Sequence, residues 1–348
     1  MPEAEEENLL EQIYQTPHFK LVQSYAKPNG YIGSGMHSWD NWGGVKLHGT
    51  PLQDGETAAR LLSYYAIPKR HPTVANFVAA MRDEDTLRGE FSYIPPEIER
   101  FNNRFIGMNS GFSLMLLVYM MQAMLGYGDD AEVAQCLEIS LEAFTKSLNL
   151  NSLSDITKKR QSKAKYSYPY IEEDTYCPSV YHLAILAYTN SWRTAENVQT
   201  MVDALNYRNA IMPDDNSMQV KIKGNYYSVG LLFRPFRPFS ADMIDTILYR
   251  RVLTEIAMLG VGERVGIIRE SVANVREAID ADGILRMDFT SKHNKRYSPK
   301  NIIYPTAYVD VRLESDYKRK YALECDLTFW AVQFLHLAET KCDENVME

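Results

Sequence analysis

An acidic residue followed by Thr and then an apolar helical run recurs along this chain, and no other feature narrows its fold so far. It appears as Glu56-Thr57 before Ala58 to Leu62, as Asp174-Thr175 before Val180 to Leu186, and as Asp245-Thr246 before Ile247 and Leu248. Looser versions are Asn109-Ser110 before Phe112 to Leu117 and Asp326-Leu327-Thr328 before Phe329 to Leu335. Successive copies lie roughly 50 to 80 residues apart, the spacing of a degenerate repeat of helical pairs. The pattern predicts pairs over 54–66 and 71–82, 108–126 and 130–149, 175–189 and 193–206, and 241–259 and 263–279, then a last helix over 321–340. The first helix of each pair carries the acid-Thr start and is expected to lie inside.

Between the pairs run extended aromatic stretches, 89–94, 166–171, 218–232 and 284–289, which alternate weakly and predict short strands or hairpins. Turns rich in Asp, Asn and Gly recur at Asp83-Glu84-Asp85, Asp214-Asp215-Asn216 and Asp280-Ala281-Asp282-Gly283. Lys27-Pro28-Asn29-Gly30-Tyr31-Ile32-Gly33 looks like the same turn, left from a pair whose helices are mostly missing. Paired helices must bury one face on a neighbour and then close or be capped. The expected fold is therefore all-α, a single α/α toroid of about five helical pairs with short β-hairpins between them; an open solenoid is the alternative. Residues 1–50 are read as a helix over 3–15 and a Gly-rich aromatic loop packed on the ring, residues 51–340 as the toroid, and the whole as one structural domain.

Composition closes off several function classes. Among 348 residues the net charge is -8, which argues against nucleic acid as the main partner. No apolar run reaches the roughly 18 residues that predict a membrane-spanning helix. The nearest, Phe112 to Met124, carries four Met and suits a buried helix or one lining an apolar cavity. The acidic start (Glu3, Glu5, Glu6, Glu7) does not look like a signal peptide, so a cytoplasmic location is expected. Cys136, Cys177, Cys325 and Cys342 form no CxxC pair and are expected to be reduced. There is no GxGxxG element or P-loop, which argues against a nucleotide fold.

The acid-Thr helix start at Glu172-Glu173-Asp174-Thr175 and the aromatic turn at Lys27 to Gly33 resemble the repeats of the prenyltransferase and squalene-cyclase group. The resemblance is one of spacing, spread over about residues 20 to 340, and the group's Gln and Trp are not both in place in the turn. It implies the toroid, and an isoprenoid-processing enzyme, most sharply one like a class II terpene cyclase that protonates a prenyl substrate. Such cyclases take their proton from an Asp-x-Asp-Asp-Thr run at the head of an inner helix. Setting Thr175 on that Thr makes Glu173 the proton donor and Asp174 its partner, while Ile171 stands where the first Asp belongs. Tyr168, Tyr170, Trp39 and Trp42 would line the substrate. A non-catalytic toroid that binds a hydrophobic ligand, a peptide or a partner protein is the second reading.

Each candidate has a structural alternative. Asp174 and Thr175 can cap a helix while Glu172 and Glu173 favour its dipole, and the recurrence of acid-Thr in other units favours that role. Adjacent carboxylates and burial are, for their part, what would keep an acid protonated. Asp83-Glu84-Asp85 reads as a turn, with a Mg²⁺-diphosphate contact as its other use; otherwise no cofactor and no metal are expected. Zinc at Cys177 and His182 is disfavoured, because residues five apart do not share a helix face. The basic stretch 158–165 reads as a solvated loop, with an anion or diphosphate contact as its other use, and Arg234 to Phe239 as a rigid connector whose arginines could meet an anion. The expected partner is a hydrophobic small molecule; the oligomeric state stays open.

Overall fold

Asp54 stands in extended backbone, and its carboxylate accepts a 2.8 Å hydrogen bond from the amide of Thr57. That bond satisfies one of the free N–H groups at the start of helix α3 (Gly55–Tyr64). Every residue from Gly55 to Leu62 is buried, so α3 has protein on all sides rather than on one stripe. Gly55 is required by close packing, since a Cβ there would stand 2.5 Å from the Tyr31 hydroxyl. In this computed structural model the described residues are 3–35, 54–91, 107–160, 169–211, 218–228, 237–243, 248–286 and 319–340.

Three more helices resemble α3 in burial: α6 (Leu114–Gln122), α8 (Val180–Ala187) and α10 (Tyr249–Met258); α12 (Ala322–Glu339) packs beside them with one buried face and with Phe329 and Val332 exposed. α6 and α8 are apolar all round, and α6 continues through a wide turn over Ala123–Tyr127 that Gly126 ends with φ +85°. α3 packs on α6, α6 on α8, α8 on α10 and α10 on α12. These five are the helices that the acid-Thr pattern predicts as inner ones, shortened at their starts. Gly107 and Gly111, both at positive φ, hold 107–113 in turns, so α6 begins at Leu114.

The remaining described helices are α1 (Glu3–Tyr14), α2 (Pro17–Ser24), α4 (Pro72–Arg82), α5 (Glu84–Glu90), α7 (Ala131–Ser147), α9 (Ala195–Ile211) and α11 (Gly266–Ala278). α7 packs on α8 and α9, and α11 on α12. Asp83, Glu84 and Asp85 do not form the expected turn between pairs but the start of α5. Asp83 caps α5 through the amide of Thr86 at 2.8 Å, and Glu84 pairs with Arg88 at 2.7 Å one helical turn on. Gly89 is therefore helical rather than extended.

The two turns likened to each other in the sequence are the same turn. After α2, Lys27 N donates to Tyr31 O at 2.8 Å, Gly30 N donates to Lys27 O at 2.9 Å, and Ala26 bridges Ile32. After α11, Asp280 N donates to Ile284 O at 3.0 Å, Gly283 N donates to Asp280 O at 2.9 Å, and Ile279 bridges Leu285. Gly30 and Gly283 sit at φ +86° and +78°, where a side chain would be strained. The first turn follows α2 and the second follows α11, so α2 is the helix that precedes the opening turn.

One small sheet lies among the helices. β1 (Tyr170–Glu172) runs parallel to β2 (Gln219–Ile222), which pairs antiparallel with β3 (Asn225–Ser228). Lys223 and Gly224, both at positive φ, make the two-residue hairpin turn. Val220 and Ile222 face inward with Ile171, Cys177 and Met218 to form a second, smaller core.

The Asp174-Thr175 helix start is corrected. α8 begins at Val180, capped by Ser179, whose hydroxyl accepts from His182 N while His182 reaches back to the Ser179 amide. Asp174 and Thr175 instead close a turn after β1, with Thr175 N bonded to Glu172 O at 3.1 Å. Asp245-Thr246, Trp39, Trp42, Tyr168 and Cys342 lie outside the described residues; Cys136, Cys177 and Cys325 are free thiols.

Candidate functional site

α10 reads Tyr249-Arg250-Arg251-Val252-Leu253-Thr254-Glu255, and its charged side chains point inward, where they are buried. The Arg251 guanidinium joins two carboxylates from different helices. Its Nε donates to Glu255 Oε1 at 2.7 Å and its Nη1 to Glu56 Oε1 of α3 at 2.9 Å, while Nη2 lies 3.3 Å from Met120 Sδ of α6. Glu56 and Arg251 are 195 residues apart in sequence. Beside them Arg250 pairs with Asp326 of α12 at 3.2 Å, both ends being almost fully buried. Buried ions hold a fixed geometry only when paired in this manner.

Above this cluster opens a cavity of about 300 Å³, the small end of ligand pockets. α3 contributes Arg60, Ser63 and Tyr64; Tyr188 comes from the end of α8; α10 adds Arg250, Arg251, Thr254, Glu255 and Met258; α12 adds Trp330, Gln333 and Leu337. Trp330 is locked in place. Its indole N–H donates to Thr254 Oγ1 at 3.1 Å, Thr254 donates to Arg250 O at 2.9 Å, and the ring stacks on Phe334.

Glu255 is the distinctive group. Oε1 is held by Arg251, but Oε2 is buried and has no hydrogen-bond partner among the described residues. Burial pushes its pKa up and the neighbouring Glu56 pushes the same way; Arg251 and Arg60 oppose this, and the net direction is upward. Burial penalises the Arg251 charge, yet Glu255 and Glu56 more than offset that and fix it as a cation. Burial and the Glu255 charge push the Tyr188 hydroxyl up to about 12. Burial, Asp326 and Tyr65 raise Tyr64 as well. The cavity wall thus offers phenol O–H groups that stay protonated and one carboxyl able to gain or lose a proton.

The residues favoured by sequence sit elsewhere. Asp174 is exposed, and its backbone carbonyl accepts from Asn109 Nδ2 at 3.1 Å. Glu173 is half-buried, with Oε2 unpartnered among the described residues, but neither acid lines the cavity. Tyr170 packs edge-on against Tyr226 of β3 at 5.0 Å, so the aromatic character there belongs to the sheet. Glu172 pairs with Lys158 at 2.8 Å. His182 is unsuited to zinc, because Nδ1 accepts from Ser179 N at 3.1 Å and Nε2 lies 2.8 Å from Met108 O, which occupies both ring nitrogens. Among the described residues no three His, Cys, Asp or Glu side chains gather as metal ligands, and no helix is long and apolar enough to cross a membrane.

Sequence reasoning missed Glu255 because it treats helix charges as solvated. A signal was present: Glu56 and Arg60, and Arg251 and Glu255, are i,i+4 pairs on helices that must be buried. No family model, curated protein or solved structure matches the chain.

Proposed function

We propose that this chain is an α/α toroid that binds a largely apolar small molecule in the cavity above Arg251 and acts on it as an enzyme, with Glu255 as the acid–base group. The unbroken packing from α3 through α6, α8 and α10 to α12 supports a ring. So does the edge-on contact of Tyr64 with Phe329 at 6.0 Å, which joins the last inner helix to the first. α2, α4, α7, α9 and α11 then make the outer layer.

One observation carries the enzymatic reading. Glu255 lines the cavity beside Tyr64, Tyr188 and Trp330, and its buried Oε2 has no hydrogen-bond partner among the described residues. A carboxyl of raised pKa in such a place is a standing candidate for proton transfer. Isoprenoid chemistry comes from the repeat resemblance alone, and it fits Tyr64, Tyr188 and Trp330, whose faces can stabilise developing positive charge. The second reading, a non-catalytic binder, is favoured by the Arg251 tie, since a paired buried cluster also serves to fix packing.

Wild type, Glu255→Gln and Glu173→Gln should be incubated with farnesol, farnesyl diphosphate, geranylgeranyl diphosphate and squalene, and the extracts analysed by mass spectrometry. The expected outcome is conversion of at least one compound by wild type and Glu173→Gln, and a loss of at least 100-fold in Glu255→Gln. Full activity of Glu255→Gln with loss in Glu173→Gln would return the acid to the turn after β1. No conversion by wild type would leave the binder as the better reading.

A further inference from the structure

α12 has two opposite faces. Ala322, Asp326, Trp330, Phe334 and Ala338 point into the protein. About half a turn round the helix stand Cys325, Phe329, Val332 and His336, all exposed, with Tyr321 ahead of them at the N-cap. A surface helix ordinarily turns charged and polar side chains outward. Here Tyr321, Phe329 and Val332 are 59%, 42% and 56% exposed, and they are three of the four large apolar side chains exposed among the described residues. No Asp, Glu, Lys or Arg is exposed between Cys325 and His336. Exposed charge stands at the two ends instead, Arg319 and Lys320 before the helix and Glu339 at its close. Glu339 also meets Arg276 of α11 at 2.7 Å, a contact that leaves its side chain 45% exposed.

The steps along the exposed face, four, three and four from Cys325 to His336, are those of a coiled-coil seam. We propose that a second copy of the chain docks on this face, α12 against α12 in antiparallel pairing about a two-fold axis between Phe329 and Val332. The face is self-complementary, as such an axis requires. Phe329 of each copy meets Val332 of the other, Cys325 meets His336, and the basic end at Arg319 and Lys320 meets Glu339. Parallel pairing would set like charges together at both ends, whereas antiparallel pairing sets opposite charges together and also opposes the helix dipoles. The helix has 18 residues and is about 27 Å long. So small an interface makes a weak dimer, with a Kd on the order of 1–100 μM. Docking here is independent of what the cavity holds or does.

Sedimentation velocity of the full chain from about 1 to 200 μM reads the association. The average mass is expected to rise from monomer towards dimer across that range. Val332→Glu sets two carboxylates beside the axis and should stay monomeric throughout, while circular dichroism matches wild type. His336→Cys in a Cys342→Ser background should form a disulfide-linked dimer through Cys325 under mild oxidation. That link should vanish when Cys325→Ser or Val332→Glu is added. The two copies of Cys325 lie about 16 Å apart in this pairing, the rise between positions 325 and 336, so Cys342→Ser alone should not cross-link. A monomer at every concentration overturns the docking. A dimer that Val332→Glu leaves intact places the interface elsewhere and overturns it too. Cross-linking of Cys342→Ser through Cys325 alone, or none in the His336→Cys variant, overturns the antiparallel register.

Discussion

His182 shows how far a single side chain can be specified by its surroundings. Nδ1 accepts the Ser179 amide, so the ring proton belongs on Nε2, which donates to Met108 O at 2.8 Å. The ring is fully buried, and burial with the nearby Arg208 charge lowers its pKa from 6.5 to about 4, although the bond to Met108 pulls it back up. Between those values the unfolded chain takes up a proton that the folded chain refuses. Folding stability from this group is therefore complete above about pH 6.5 and is lost as pH falls to about 4, a total of about 3 kcal/mol. Urea unfolding of wild type and His182→Gln between pH 7 and 4 checks this: the wild-type curve should fall more steeply, and parallel curves would contradict it. Cys177 and Arg208 lie in the same buried region, with Sγ and Nη2 3.9 Å apart. Burial raises the thiol pKa, so this cysteine is held as an unreactive thiol.

Helix starts decide the elements, and here the sequence reading was half right. The apolar runs and their order were legible, because α6 and α8 are long apolar segments and the spacing between the predicted helices is regular. The residue that begins each helix was not. Asp54, three residues before Thr57, caps α3, and Ser179 rather than Asp174 or Thr175 caps α8. Acid-Thr and Ser are both good caps, so propensity alone does not choose; Pro178, which holds the preceding backbone extended, is the local clue that α8 starts after it. Asp54→Ala and Ser179→Ala should each cost about 1 kcal/mol. Thr175→Val, in a turn, should change stability by less than about 0.5 kcal/mol. Thr57 Oγ1 is buried without a partner among the described residues, so Thr57→Val should be neutral or stabilising. Chemical denaturation midpoints of the four variants measure this, and a loss in Thr175→Val equal to that in Ser179→Ala would restore the acid-Thr register.

At the scale of the whole molecule, the ion cluster joins α3, α6, α10 and α12. α3 supplies Glu56, α6 supplies Met120, α10 supplies Arg251 and Glu255, and Arg250 ties α10 to α12 through Asp326. The candidate site was illegible in sequence for the same reason: its members are scattered from Glu56 to Leu337 and converge only when the helices assemble. The acids chosen from sequence were adjacent, and adjacency in sequence placed them on one turn beside the small sheet. The proposed ring, with the cavity at the cluster, requires that α3 and α10 be energetically joined across 195 residues. The most direct measurement is a double-mutant cycle on Glu56→Gln and Arg251→Met, with unfolding free energies of wild type, both single variants and the double variant. A coupling of about 1–3 kcal/mol is expected, because each single change strands a buried partner and the double change removes both. Single effects that add to within about 0.5 kcal/mol would contradict the joining of α3 and α10 through Arg251, and with it the site.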